Sequence, residues 1–116
     1  MKVVGTAHFR SVRTLEFSDL RAGDVVLIRT KNNLYSFCIA NERTLSGALL
    51  SELNARHFPD AVLLGALSRR EGRSHTSTSR LVTQSRALFA VRRGNRVITL
   101  TTSTVVSLGC VRQIEE

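Results

Sequence analysis

The chain has 116 residues, of which 42% are hydrophobic, and its 17 lysines and arginines against 9 acidic residues give a formal net charge of +8. This length suits one domain with one core, and no apolar run approaches the roughly 20 residues of a membrane-spanning helix. The N-terminus lacks the apolar core of a secretory signal, so a cytoplasmic protein without a membrane partner is predicted. The positive charge favours anionic partners.

The hydrophobic pattern has the short period of β-strands throughout most of the chain. Residues 2–9 predict a first strand, and Leu20 to Asp24 predict a turn because Gly23 and Asp24 favour one. Residues 25–30 and 34–40 alternate on either side of a polar break rich in asparagine. These two segments predict a β-hairpin.

The middle of the chain predicts the one helix. Leu45, Leu49, Leu50 and Leu53 recur at helical spacing, which predicts a short helix over residues 45–57. Pro59, the only proline, is expected to end it, because the residue before a proline is pushed out of the helical region. Residues 61–67 then predict a strand.

The second half of the chain predicts a loop, a hairpin and a last strand. Residues 69–80 contain no apolar residue, so they are expected to form an exposed, flexible basic loop. Residues 87–92 and 96–101 alternate around Gly94 and Asn95, which tolerate the positive φ of a tight turn. A final strand is predicted over residues 105–111.

Together these elements predict a mainly β fold, a small barrel or compact sandwich of about six or seven strands with one short helix near 45–57. Residues 1–116 are expected to form this single small β domain. Because small β folds leave strand edges that pairing can cover, a homo-oligomer is also predicted.

Arginine dominates the charge pattern. Between residues 69 and 96 the chain has eight arginines and a single acid, Glu71, a formal charge of +7. Guanidinium groups suit bidentate contacts with phosphates, so this segment favours binding of RNA or DNA through the backbone. The competing interpretation is an arginine-rich surface that reflects only genome base composition. The predicted nucleic-acid-binding residues are Arg69, Arg70, Arg73, Arg80, Arg92, Arg93 and Arg96.

Aromatic residues give little support for base recognition. The chain has five phenylalanines and one tyrosine, and the pattern puts about four of the phenylalanines in the core. Tyr35 is the best candidate for an exposed ring that could stack on a base.

Other side chains predict neither catalysis nor a cofactor. Cys38 and Cys110 have apolar or small neighbours, which is typical of inert buried thiols, although a disulfide between them stays open. No cysteine or histidine pair has zinc-site spacing, so no metal is predicted. His75 lies among hydroxyls on the predicted loop, where catalytic geometry would not be held. We therefore expect a non-enzymatic protein.

A second functional class stays open beside nucleic-acid binding. The chain could be a structural module that self-assembles or docks on a protein partner. It would use edge strands and the apolar positions of residues 45–53.

The segment from Leu20 to Phe37 resembles a pattern in small uncharacterised bacterial all-β proteins. In that pattern a hairpin in the C-terminal part is followed by a turn like residues 101–105 of this chain. The resemblance implies a small β-barrel and brings no established activity. Its residues here are Leu20, Gly23, Asp24, Val25, Val26, Leu27, Ile28, Arg29, Thr30, Asn32, Tyr35 and Phe37.

Overall fold

The computed structural model describes residues 6–114, and in this range the chain forms ten β-strands and one 3-10 helix, Phe17–Asp19. The predicted mainly β class is confirmed. The strands are β1 Thr6–Val12, β2 Thr14–Glu16, β3 Val25–Thr30, β4 Leu34–Asn41, β5 Ser46–Ser51, β6 Arg56–Arg70, β7 Arg73–Ser77, β8 Arg80–Val82, β9 Arg86–Arg93 and β10 Arg96–Ile114.

Six strands close into an antiparallel barrel, in the order β3, β4, β5, β6, β9, β10 and back to β3. β10 closes the ring because its first half pairs with β9 and its second half pairs with β3. Register shifts occur in both pairings near residues 101–107, where β10 passes from one partner to the other. Outside the barrel, β1 pairs with β10, β7 pairs with the end of β6, and β2 pairs with β8.

The core is built from alternate residues of the barrel strands. Ala87, Phe89 and Val91 of β9 are fully buried, as expected where every second side chain of a strand faces inward. Phe89 packs edge-to-face against Phe37 of β4, with ring centroids 5.2 Å apart. Leu81 of β8 belongs to the same buried cluster, so the small second sheet packs on the same core.

Both predicted hairpins are confirmed. Residues 25–30 and 34–40 form β3 and β4, and residues 87–92 and 96–101 lie in β9 and β10. The predicted strand at 61–67 lies within β6, while the strand at 105–111 is the second half of β10. The first predicted strand overlaps β1, and its residues 2–5 lie outside the described residues.

The predicted helix at 45–57 is wrong. The segment forms β5, a turn and the start of β6. Leu49 is fully buried, whereas Leu53 is 69% exposed in the turn. Asn33 holds this turn from the neighbouring hairpin, because its Oδ1 accepts a hydrogen bond of 3.2 Å from the Leu53 N–H.

Pro59 does not end a helix but lies inside β6. The register between β5 and β6 shifts from Gly47 opposite Ala61 to Leu49 opposite Phe58. Pro59 falls in this irregular stretch, where a residue without an N–H group costs no regular ladder hydrogen bond.

The predicted loop at 69–80 is largely a third hairpin. β6 continues to residue 70 and pairs with β7, with Arg69 opposite Ser74. Glu71 and Gly72 make the turn with φ of 51° and 75°. At the base of the hairpin the backbones come so close that a Cβ on Gly65 would lie 2.0 Å from the Ser77 carbonyl oxygen. Most of the described side chains of this segment are exposed as expected, but the backbone is paired.

A buried carboxylate ties the turn before β3 to the last strand. Asp24 accepts hydrogen bonds from Nε and Nη2 of Arg112 at 2.9 and 2.7 Å and from the Arg21 backbone N–H at 2.8 Å. Burial acts to raise the pKa of Asp24, but the hydrogen bonds from Arg112 and Arg21 outweigh it, so the pKa is lowered. Arg112 also donates to the Asp19 carbonyl oxygen, which fixes the 3-10 helix.

The two cysteines are free. Cys110 is buried as predicted, and burial, followed by the nearby Asp24 carboxylate, raises the pKa of its thiol. The prediction that Cys38 is buried is wrong, because Cys38 is exposed. Cys38 lies opposite Val25 and Cys110 lies opposite Val26, so the two thiols project from opposite faces of the sheet on either side of β3.

Candidate nucleic-acid interface

The outer face of β9 has an arginine at each end. Arg86, Leu88, Ala90 and Arg92 alternate with the inward residues of this strand and therefore project away from the core. At about 3.4 Å per residue, the six steps from Arg86 to Arg92 span about 20 Å. The two guanidinium groups therefore lie on one side of the barrel with a shallow, partly buried surface between them.

Hydroxyl groups flank this row on the β10 side. On β10, Thr99 is opposite Ala90, Thr101 is opposite Leu88, and Thr104 is opposite Arg86. Residues that are directly opposite in an antiparallel pair share a face of the sheet, so these threonines flank the arginine row. Thr99 and Thr101 are exposed.

The β6–β7 hairpin extends the same face. Leu67 of β6 is opposite Arg86 of β9 and Thr76 of β7. Two residues further along β6, Arg69 projects to the same side, opposite Ser74. We call the surface that Arg69, Arg86, Arg92 and their flanking hydroxyls form the β9 face.

A groove of about 330 Å³ lies at one end of the β9 face. Of the described residues that line it, none is acidic, and neither Arg69 nor Arg86 forms a salt bridge within the described range. We call it the Arg86 groove. Its lining residues are Leu67, Ser68, Arg69, Ser74, Gln84, Arg86 and Thr104.

A second groove of about 470 Å³ lies at the opposite end, between the start of β6 and the tip of the β9–β10 hairpin. Arg56 and His57 of β6 line it together with Arg92 and Arg93. Asp60 also lines it, with Oδ2 3.7 Å from Nε of Arg92. Both of these side chains are more than half exposed, so their ion pair contributes little to stability.

The seven arginines predicted from the sequence do not all share this face. Arg69 and Arg92 do. Arg93 and Arg96 are directly opposite each other on the other side of the hairpin tip, and Arg73 alternates with Ser74, which places it on the other side of β7.

The remaining two predicted residues lie on different strands. Arg80 lies on β8, where its Nη2 is 3.4 Å from Oε1 of Glu16. The backbone of Arg70 pairs with Arg73 next to the β6–β7 turn.

Several residues of the candidate interface were not among the predicted binding residues, and Arg86, Gln84 and Arg56 are the most informative of them. Arg86 could have been found from its even spacing to Arg92 in a strand, which puts both on one side. The barrel topology brings Gln84 to the same groove as Arg69 and brings Arg56 to the same groove as Arg92. No local sequence pattern indicates these two placements.

Aromatic rings are absent from the described residues of the β9 face. Tyr35, the predicted exposed ring, is half-buried and packs against the core from β4. The exposed ring is Phe9 on β1, which is 63% exposed. It covers Gly109 of β10, where an added Cβ would lie 2.5 Å from a ring carbon. The other four phenylalanines are buried as predicted.

Comparisons with protein-family models, curated proteins and solved structures give no match for this chain. The resemblance of residues 20–37 to bacterial all-β proteins therefore stays a prediction. Within residues 6–114 there is no helix long and apolar enough to cross a membrane, and no cluster of three metal-ligating side chains. The fold and surface define a small closed β-barrel with a basic outer face.

Proposed function

We propose that this protein is a non-enzymatic module that binds the phosphate backbone of RNA or DNA through the β9 face. The observation that supports this function best is the alignment of Arg86 and Arg92 on one strand, with Arg69 beside them and threonine hydroxyls along the row. The proposal keeps the cytoplasmic location predicted from the sequence.

The dimensions of the face suit a nucleic-acid strand. The distance of about 20 Å between the two ends of the row is long enough for several consecutive phosphates of one strand, since the axial rise in a duplex is about 3.4 Å per nucleotide. Guanidinium and hydroxyl groups are the side chains that most often donate hydrogen bonds to phosphate oxygens. With no aromatic ring among the described residues of the face, contacts go to the backbone and carry no base sequence preference.

Asp60 does not prevent this binding. Its pairing with Arg92 is long and exposed, so a phosphate can replace the carboxylate at small cost. Between the arginines on β9, Leu88 and Ala90 are partly buried.

The test is fluorescence-anisotropy binding of labelled random-sequence RNA and DNA 20-mers at low salt. The double variant Arg86→Gln/Arg92→Gln removes two charges from the face and is expected to weaken binding about tenfold or more per arginine. Arg10→Gln/Arg29→Gln is the matched control, since it removes two exposed charges from β1 and β3, outside the face. The control variant should weaken binding only slightly, because it lowers the net charge without removing an arginine of the face.

Two results would overturn the proposal. The first is no binding of wild-type protein to either nucleic acid at low salt. The second is an equal loss of affinity in the two double variants, which would mean that only net charge matters.

The second candidate function is self-assembly, and β1 is the observation that favours it. In the described range β1 pairs only with β10, so its outer edge carries free backbone groups beside the exposed Phe9. The apolar positions of residues 45–53 fit this role less well, because Leu49 is buried in the core. A light-scattering mass of twice 12.8 kDa that returns to 12.8 kDa in Phe9→Lys would support strand addition between two copies.

A further inference from the structure

We propose that the Arg86 groove holds the terminal phosphate of a nucleic-acid strand that lies along β9. This inference rests on the proposed function and names the part of the ligand that one end of the face recognises. Terminal phosphate means a phosphate monoester at a strand end, as distinct from the diesters within the strand.

The charge of the groove suits a monoester better than a diester. Arg69 and Arg86 bring two positive charges, and the other residues that line the groove carry no negative charge. A phosphate monoester carries about −1.5 to −2 at neutral pH, whereas each backbone diester carries −1. Two guanidinium groups therefore neutralise a terminal phosphate and overcompensate a single backbone phosphate.

Neutral donors complete the site. Ser74, Thr104 and Gln84, which carry hydroxyl and amide donors, line the same groove. A monoester has three terminal oxygens that accept hydrogen bonds, which is one more than the free oxygens of a diester. The groove's volume of about 330 Å³ is near the lower end of the range for small-ligand sites.

The position of the groove matches a strand end. Arg86 is the first residue of β9, so the arginine row stops there. On one side Arg69 and Ser74 of the β6–β7 hairpin line the groove, and on the other Gln84 of the turn before β9 does. A strand that runs along the face from Arg92 therefore enters the groove after several nucleotides.

Gln84 supplies an independent observation. Its φ of 72° is in the left-handed region, which glycine adopts without strain. Its backbone N–H donates to the Val105 carbonyl oxygen at 2.8 Å, which fixes this conformation. Of the four non-glycine residues between positions 6 and 114 with such a φ, Gln84 is the one that lines the groove. Strained backbone of this kind concentrates at functional sites.

The test compares four forms of one 10-mer, made as RNA and as DNA, with a 5′-phosphate, a 3′-phosphate, both or neither. Each is measured as an unlabelled competitor against one labelled strand at fixed salt. We expect a terminal phosphate to tighten binding about tenfold, as one set of charge-assisted hydrogen bonds allows. The 5′ and 3′ forms show which end enters the groove.

Variants separate this site from the rest of the face. Arg86→Gln is expected to abolish the preference for the phosphorylated strand. Arg92→Gln is expected to weaken the phosphorylated and unphosphorylated strands equally and to leave their ratio at the wild-type value. Gln84→Gly should lower the preference without lowering the melting temperature, because glycine relieves the backbone strain.

The outcomes distinguish this inference from the proposed function. Equal affinity for the four forms in wild-type protein would overturn the terminal-phosphate site and leave backbone binding in place. A preference that survives in both Arg86→Gln and Gln84→Gly would also overturn the site. If no form binds at all, the proposed function fails together with this inference.

Discussion

Asp24 offers a sharp test of how the barrel is held closed. Its carboxylate accepts three hydrogen bonds, two from Arg112 and one from the Arg21 backbone. Asparagine has one acceptor oxygen in place of two and no charge, so Asp24→Asn leaves at least one of these donors without a partner. Arg112 is 45% exposed and keeps some contact with water, so we expect a loss of about 2 to 3 kcal/mol in the free energy of unfolding.

The expected loss corresponds to a clear thermal shift. For a chain of this size, about 1 kcal/mol moves the melting temperature by about 4 °C, so Asp24→Asn should lower it by about 8 to 12 °C. Because the chain has no tryptophan, unfolding in urea or by heat is best followed by far-ultraviolet circular dichroism. Asp19→Asn is the matched control, since this exposed acid lies in the 3-10 helix just before the turn and its side chain makes no hydrogen bond to the described residues.

The pH dependence of stability gives a second readout of the same carboxylate. The pKa of Asp24 is lowered in the folded protein, so its contribution is present above the unfolded value of about 3.9 and is lost as pH falls through the lower folded value. The stability difference between wild type and Asp24→Asn should therefore shrink below about pH 4. A stability difference between the two proteins below about 0.5 kcal/mol at pH 7, or one that does not change with pH, would refute this account of the hydrogen bonds to Asp24.

Two further predictions test the strand assignment and the cysteine environments. Leu49→Ala should cost about 2 to 5 kcal/mol because Leu49 is fully buried, while Leu53→Ala should cost less than about 0.5 kcal/mol, and urea denaturation of both variants checks this. Equal losses would contradict the turn at residues 52–55. A thiol reagent in native buffer should modify Cys38 quickly and Cys110 only on unfolding, since Cys110 is buried and its pKa is raised. Fast reaction of Cys110, located by peptide mapping, would show that its thiol is not buried in the folded chain.

The hairpins were predictable because their turns are local chemistry. Gly94 and Asn95 specify a tight turn whatever surrounds them, and the alternation of 87–92 specifies which side faces the core. The closed barrel was predictable only as one of two alternatives. Closure depends on one long strand, β10, that pairs with β9 and then with β3, and no local sequence pattern shows this change of partner.

The predicted helix failed for an identifiable reason. Leu45, Leu49 and Leu53 are four residues apart, and a spacing of four keeps side chains on one side of both a helix and a regular strand. What decides between the two is pairing with the neighbouring strands β4 and β6, which the spacing of the leucines alone does not show. The prediction of a flexible loop at residues 69–80 was wrong because β7 pairs through its backbone. β7 buries no apolar side chain, so no hydrophobic pattern indicated a strand there.

The candidate site was predictable in composition but not in arrangement. The sequence shows how many arginines the segment has, and strand parity relates Arg86 to Arg92. The addition of Arg69 depends on the pairing of β6 with β9, and the placement of Arg93 and Arg96 on the other side depends on the hairpin register.

The salt dependence of binding tests the central claim most directly. If single-stranded RNA contacts Arg69, Arg86 and Arg92 through phosphates, the slope of log K against log salt includes about −0.7 from each, or about −2 in total. The account predicts that Arg86→Gln/Arg92→Gln makes the slope less steep by about 1.4, while Arg10→Gln/Arg29→Gln leaves it unchanged. A slope near zero in wild-type protein, or the same change in both double variants, would contradict phosphate binding by the β9 face.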